Sequence, residues 1–291
     1  MLVHQVAKLT GLTKKAIAYY EEQGLVVPAV LQNGYRDFDE KDVERLIQIA
    51  VLRRLELGIA DIKAALTDET GDVLQRVAAR KELEAQRNQM QKAILNRLCR
   101  EWDYAAIGEE LQALAEAATL TERLLEAFPG YYGRWLSLHF ARFLNEPAIT
   151  CEQKAAYQEM LDFLDDAPPP EIPEDLRESF EEMTKAMNVE DILRAQKMMG
   201  DSFQNPERFL RENQEIIESQ LTLRQSEEYK NSATQRIQAF WKEWNQTTGY
   251  YDRFIPAMKK ASASYGEYCR QMERASQMLL EKYPTAGEGD A

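Results

Sequence analysis

Two lysines and a tyrosine on one short segment, followed by a tyrosine and an arginine beyond a turn, suit one chemistry: holding a phosphate backbone. Lys14, Lys15, Ala18 and Tyr19 fall at i, i+1, i+4 and i+5, so a helix gathers them on one face while Leu12 and Ile17 point the other way. Thr13 stands before them as an N-cap. A cationic, aromatic and otherwise small helix face fits a major groove. The turn pair Asn33-Gly34 then precedes Tyr35-Arg36, which displays a phenol hydroxyl and a guanidinium at the tip or returning strand of a hairpin. Taken singly, the lysines also read as a solvated face and Tyr19, Tyr20 and Tyr35 as half-buried core aromatics; Tyr20, beside Ile17 and Leu25, suits packing. Taken together, lysines on a capped helix followed by Asn-Gly-Tyr-Arg on a loop serve a phosphate backbone, and no enzyme needs them.

The elements that must hold these residues are legible around them. Val6 to Leu9 belong to a short helix, Gly11 makes the turn, and the Thr13-capped helix runs to about Glu21, which is helix-turn-helix order. Gly24 suits a left-handed helix end and Pro28 forbids continuation, so a hairpin wing follows. Asp39 caps a third helix expected to bury Val43, Leu46, Ile47, Ile49, Ala50 and Leu55, and a shorter helix after Gly58 adds Ile59, Ile62 and Leu66.

Over residues 1 to 66 this order resembles the MerR-type transcriptional regulators, whose heads carry a helix-turn-helix, Tyr-Tyr-Glu as in Tyr19-Tyr20-Glu21, a wing with Gly-Tyr-Arg as in Gly34-Tyr35-Arg36, and two further helices. The resemblance implies phosphate contacts from Tyr19, Tyr35 and Arg36, and groove contacts from the helix of Thr13, Lys14 and Lys15; Tyr20, in the same Tyr-Tyr-Glu run, completes the expected DNA-facing set. The chain departs from the family pattern at Ala18, where Arg is usual, which removes one expected DNA contact. It departs again where the family has Gly then Ser near the fourth helix and this chain has Glu56 and Gly58.

The overall charge of −13 suits DNA only when divided by region. Residues 1–66 are neutral, residues 67–100 carry +2, and residues 101–291 carry −15, so the acidity should keep the C-terminal part off the duplex. A length of 291 residues with 44% hydrophobic side chains suits two domains with sizeable cores. The N-terminal residues Met1 to Gln5 lack the basic start and apolar run of a signal peptide, and no apolar stretch approaches the length of a membrane span. Cys99, Cys151 and Cys269 are odd in number and far apart, which argues against a disulfide framework. A cytoplasmic protein is expected.

Residues 73–100 contain no Gly or Pro and are rich in strong helix formers. Ala79, Leu83, Met90, Ala93, Ile94 and Leu98 make a stripe near heptad spacing, interrupted by Gln86, which either pairs with a second copy or packs on its own head. The resemblance implies the former, an antiparallel dimer helix over residues 71–101 with a seam at Leu83, Met90 and Ile94. A homodimer would place two heads, each within residues 1–70, on a palindromic operator in double-stranded DNA. The resemblance also implies RNA polymerase as a partner at the promoter.

From Trp102 to Ala291 every segment reads helical, giving a mainly α chain: winged helix-turn-helix with a small β wing, long dimerisation helix, and all-helical effector domain. Leu111, Leu114, Leu120, Leu124, Leu125 and Phe128 form one apolar face ended by Pro129-Gly130; Trp135 to Leu144 form another ended by Pro147; Thr150 caps a third. Pro168-Pro169-Pro170 with Pro173 is an extended linker, and two short helices follow it. Asn205-Pro206 should open a helix reaching about Thr247, Gly249 should break it, and a last helix from Tyr250 to about Tyr283 should kink at Pro256, with 286–291 as a loose tail.

Catalysis finds no support there. His4 and His139 are the only histidines, His139 sits between apolar neighbours, and Asp165-Asp166 and Glu181-Glu182 read as solvated helix ends. No enzyme activity, cofactor or metal is expected, which separates the chain from the metal-sensing and redox branches of the family it resembles. The best sensing candidates are two aromatic groups: Tyr131, Tyr132 and Trp135 at one helix start, and Trp241, Trp244, Tyr250 and Tyr251 around a later turn. Such aromatics build cores as well as ligand cages; in an acidic domain they suit an apolar or cationic small molecule. An acidic helical domain that docks a protein partner is the alternative, and an enzyme domain fused to a DNA-binding head a third.

Overall fold

In the computed structural model, which describes residues 1–144 and 150–287, the chain divides into two compact units, Met1–Val77 and Ala78–Ala291. Helix α5 (Asp72–Glu101) begins in the first and continues through the second.

The first unit opens with α1 (Val3–Thr10) and α2 (Lys14–Glu22), joined at Gly11, and the Thr13 hydroxyl caps α2 by accepting from the Ala16 N–H at 3.1 Å. Strands β1 (Ala29–Val30) and β2 (Arg36–Asp37) pair antiparallel, with Ala29 opposite Asp37 and Val30 opposite Arg36. Gly34 closes their turn at φ 80°, a conformation that favours glycine. Asp39 and Asp42 form a reciprocal cap for α3 (Glu40–Arg54), and α4 (Ile59–Ala65) follows. Val6, Ile17, Leu25, Phe38, Leu46, Ile49 and Ile62 make the dry core. Ile47 and Leu55, expected inside, are exposed: one residue on from Leu46 turns Ile47 about 100° away from the buried face. Leu55 lies past the end of α3. Glu56 occupies the left-handed region at φ 65°, a conformation that favours glycine.

In the second unit α5 returns into α6 (Tyr104–Ala127) through Trp102, at φ 55°, and the Asp103 cap. Pro129 then breaks the chain before α7 (Gly130–Ala141), which packs on α6. Gly133 is required at that corner, because a Cβ there would stand 2.2 Å from the Phe128 carbonyl oxygen. Thr150 and Gln153 cap α8 (Cys151–Asp166). Beyond the proline linker lie α9 (Arg177–Ala186) and α10 (Val189–Gln204), both against α7. Leu111, placed on the apolar face of α6, is 41% exposed, whereas Leu114, Leu120, Leu124 and Leu125 are buried. The helix stop at Pro147 lies outside the described residues.

The stretch expected as one helix to Thr247 is four: α11 (Pro206–Glu212), α12 (Gln214–Gln225), α13 (Glu227–Lys230) and α14 (Ala233–Thr247). Ser226 and Ser232 each turn a side-chain oxygen to a backbone N–H, at Tyr229 and Gln235, and so start new helices where periodicity alone would continue the old one. After Gly249 a π-helical turn, Tyr250–Phe254, leads into α15 (Ile255–Ala261). Pro256 therefore sits in the first turn of a helix and kinks nothing; the break falls at Ser262, which caps α16 (Ala263–Lys282). Ala286 and Gly287 belong to a short 3-10 turn, Pro284–Gly287, and the rest of the expected loose tail lies outside the described residues.

The core of this unit joins Leu120, Leu124, Phe128, Phe140, Met160, Phe163, Trp241, Phe254 and Met258. Among the described residues no helix is long and apolar enough to cross a membrane.

Candidate DNA interface and effector cleft

On the head, the Thr13-capped helix α2 presents Lys14, Lys15 and Ala18 on its exposed face, and Tyr19 beside them is 43% exposed. Burial of Ile17 fixes the helix rotation that leaves those side chains outside. Tyr20 is only 6% exposed and is core, so it supports the helix and does not face a ligand; this corrects its inclusion among the DNA-facing residues. Its ring packs 5.9 Å from that of Tyr19. At the wing, Tyr35 is 62% exposed and its backbone N–H donates to Asn33 Oδ1 at 3.1 Å, which stiffens the turn. Arg36 is not an isolated guanidinium: its Nε donates to Glu21 Oε1 at 2.9 Å, joining wing to α2. Arg45 and Arg53 are structural, donating to the carbonyls of Leu25 and Leu57.

On the helical unit, Met90, Ile94 and Leu98 of α5 pack against Ile107 and Leu114 of α6, and Arg97 pairs with Glu110 beside them. Ile94 is thereby buried within its own chain, which removes it from the expected seam; the second helix satisfies the apolar face that a partner would otherwise cover. Leu83 remains half-buried.

Five of the seven aromatic residues expected to sense a ligand share one cleft. Tyr131, Tyr132 and Trp135 of α7, Trp241 of α14 and Tyr251 of the π-turn line a space of about 690 Å³, within the range of small-molecule sites. Trp244 and Tyr250 do not line it; at 8% and 6% exposure they are core residues behind the wall. The wall itself is ordered by stacking: the rings of Tyr132 and Trp241 lie 3.8 Å apart and 18° from parallel, with Phe128 edge-on to both. Buried Arg134 donates to the carbonyls of Thr184 and Met187, fixing the end of α9 and with it Met183 and Met187 at the cleft. Arg253 ties the π-turn to α8 through Glu159 and Asp166.

Sequence reasoning missed Asn245, Gln238, Met183 and Met187, all of which line the cleft. Helical spacing could have found them, since Gln238, Trp241 and Asn245 stand three and four apart, and Met183 and Met187 four apart. Asn245 is 6% exposed and its Nδ2 donates to the Tyr132 hydroxyl oxygen at 3.0 Å. Burial pushes the Tyr132 hydroxyl up to about 12, against the opposing effect of Asn245, and raises that of Tyr131. Trp241 Nε1 lies beside the Tyr131 hydroxyl without the geometry of a hydrogen bond, and Trp244 Nε1 has no partner among the described residues.

Away from the cleft, His139 is half-buried among the rings of Phe140, Phe143, Tyr265 and Tyr268. Burial first, and Arg142 next to it, lower its pKa to about 4. Among the described residues no group of three or more His, Cys, Asp or Glu side chains is placed to hold a metal ion.

Residues 1–69 match the family described as MerR HTH family regulatory protein. The chain is 32% identical over 116 residues to the HTH-type transcriptional regulator CueR of Vibrio cholerae serotype O1, a match covering 38% of this chain and 84% of that protein. It is 41% identical over 81 residues to the HTH-type transcriptional regulator SkgA of Caulobacter vibrioides, covering 28% of this chain and 32% of SkgA. With CueR of Bacillus subtilis the identity is 36% over 67 residues, 23% of this chain and 47% of the relative. Its capped cationic helix, its Tyr-Arg wing and these matches together make the chain a DNA-binding transcriptional regulator that belongs to the MerR family.

Proposed function

We propose that this regulator binds a palindromic promoter operator as a dimer and answers to a small molecule held in the helical unit. The observation that carries the sensing half is the aromatic cleft of about 690 Å³ walled by Tyr131, Tyr132, Trp135, Trp241 and Tyr251. Flat rings, two thioethers and a few amides are what a concave small-molecule site requires. On the DNA side, Lys14 and Lys15 would meet the groove while Tyr19, Tyr35 and Arg36 hold phosphates. The family resemblance adds RNA polymerase, whose promoter contacts would be realigned when the effector favours one state of the regulator; only a difference in affinity between two states can do this.

A docked protein partner is the second reading, and α12 favours it: the helix buries none of its residues, and Ile216 and Leu223 are 62% and 47% exposed. Melting of the full chain with a panel of apolar neutral and cationic aromatics separates the two. The sensing reading expects some aromatic compounds to raise the melting temperature and to alter Trp fluorescence, and expects Trp135→Ala to abolish both responses while divalent metals do nothing. No response to the panel, with stoichiometric recovery of one protein on an α12-intact chain and none on an Ile216→Asp, Leu223→Asp chain, would establish the partner instead.

A further inference from the structure

Resting on the sensing reading, we propose that the cleft selects neutral planar rings carrying a carbonyl next to an N–H, as in a lactam or an imide. Charge is the first consideration. The ionisable side chains that line the cleft with charge are Lys242 and Glu243, neighbours on α14 and opposite in sign, so the excess acidity of residues 101–291 is not concentrated there. A charged ligand would lose its hydration without gaining a buried counter-charge, which is costly. A neutral one loses little.

Shape is the second. The stacked Tyr132 and Trp241 rings make a flat wall, and Trp135 and Tyr251 add two more ring surfaces. Such walls reward planar molecules through offset stacking.

The third consideration sets the polar group. Asn245 Nδ2 donates to the Tyr132 oxygen at 3.0 Å, but the return contact, from the Tyr132 hydroxyl to Asn245 Oδ1, is 3.5 Å and weak. Among the described residues no shorter acceptor meets that phenol proton, and no shorter donor meets that amide oxygen. Asn245 is 94% buried by its 6% exposure, and buried polar groups left in this state favour any ligand that completes them. The cleft therefore offers one donor, Tyr132 O–H, adjacent to one acceptor, Asn245 Oδ1. Their complement is a carbonyl beside an N–H. Burial keeps the Tyr132 proton in place throughout the physiological pH range.

Titration of the full chain by ligand-observed NMR tests this with four probes: isoindolinone, its N-methyl derivative, naphthalene and N-methylquinolinium. Isoindolinone should bind about tenfold more tightly than N-methylisoindolinone, because methylation leaves Asn245 Oδ1 buried without a donor. That comparison uses the unaltered chain, so folding cannot confound it. Asn245→Leu should erase the ratio, and Trp135→Ala should weaken both lactams together. Equal binding of the two lactams, preference for N-methylquinolinium or naphthalene, or a ratio that survives Asn245→Leu would overturn the lactam assignment while leaving the cleft a sensor. If no probe bound in a manner sensitive to Trp135→Ala, both the assignment and the sensing reading would fall.

Discussion

Arg36 on the wing donates its Nε to Glu21 Oε1 on the second helix at 2.9 Å, so the residue expected to grip phosphate is held by a carboxylate that would repel it. The pair is exposed, with side chains 49% and 27% accessible, and so contributes little to stability. Its role is orientation: it ties the wing guanidinium to the last turn of α2, the helix that carries Lys14 and Lys15.

From that geometry, Arg36→Ala should weaken binding to cognate and random duplexes alike and flatten the slope of log affinity against log salt by about 0.9. Glu21→Gln should act oppositely, strengthening non-specific binding several-fold at low salt. Fluorescence anisotropy across a salt series reads both. An Arg36→Ala chain with unchanged slope would remove the wing from the interface.

Glu56 holds φ 65°, a conformation that favours glycine, and a non-glycine residue in that region costs about 1 kcal/mol. Glu56→Gly should therefore stabilise the first unit by roughly 0.5–1 kcal/mol, although glycine generally destabilises. Urea unfolding followed by a probe in residues 1–77 would show it; a loss of stability would mean that the contacts of the Glu56 side chain outweigh the strain.

His139 carries a pKa near 4 against 6.5 for the free side chain. Between those values the unfolded chain binds the proton and the folded chain does not, so stability falls as pH drops from about 6.5 towards 4 and is unaffected by this group above 7. The loss should reach on the order of 2–3 kcal/mol by pH 4. Comparing melting at pH 7 and pH 4.5 for the parent and His139→Phe isolates the effect. Parallel curves would show that His139 is hydrated when folded.

Much of this was written in local patterns. Thr13, Asn33-Gly34 and Asp39 announce a cap, a turn and a cap, and each interaction lies within three residues of its partner, so the head could be read at sight. The cleft was half legible. Its rings stood out by type, but whether Trp241 lines a wall and Trp244 hides behind it depends on how α14 is rotated against α7, which neighbours distant in sequence decide. Ile94 was misassigned for a similar reason: an apolar stripe declares that it will be covered, not by what, and α6 lay at hand. The helix breaks at Ser226 and Ser232 were carried by hydroxyls that compete with the helix backbone, a signal weaker than proline and easily passed over.

Selection from a pool of random duplexes by the full chain, followed by sequencing, tests the central claim most directly. The account predicts enrichment of an inverted repeat with half-sites about one helical turn apart, and loss of that enrichment in a Lys14→Ala, Lys15→Ala chain that melts like its parent. A pool that emerges no different from its input, or one enriched equally by the double variant, would contradict it.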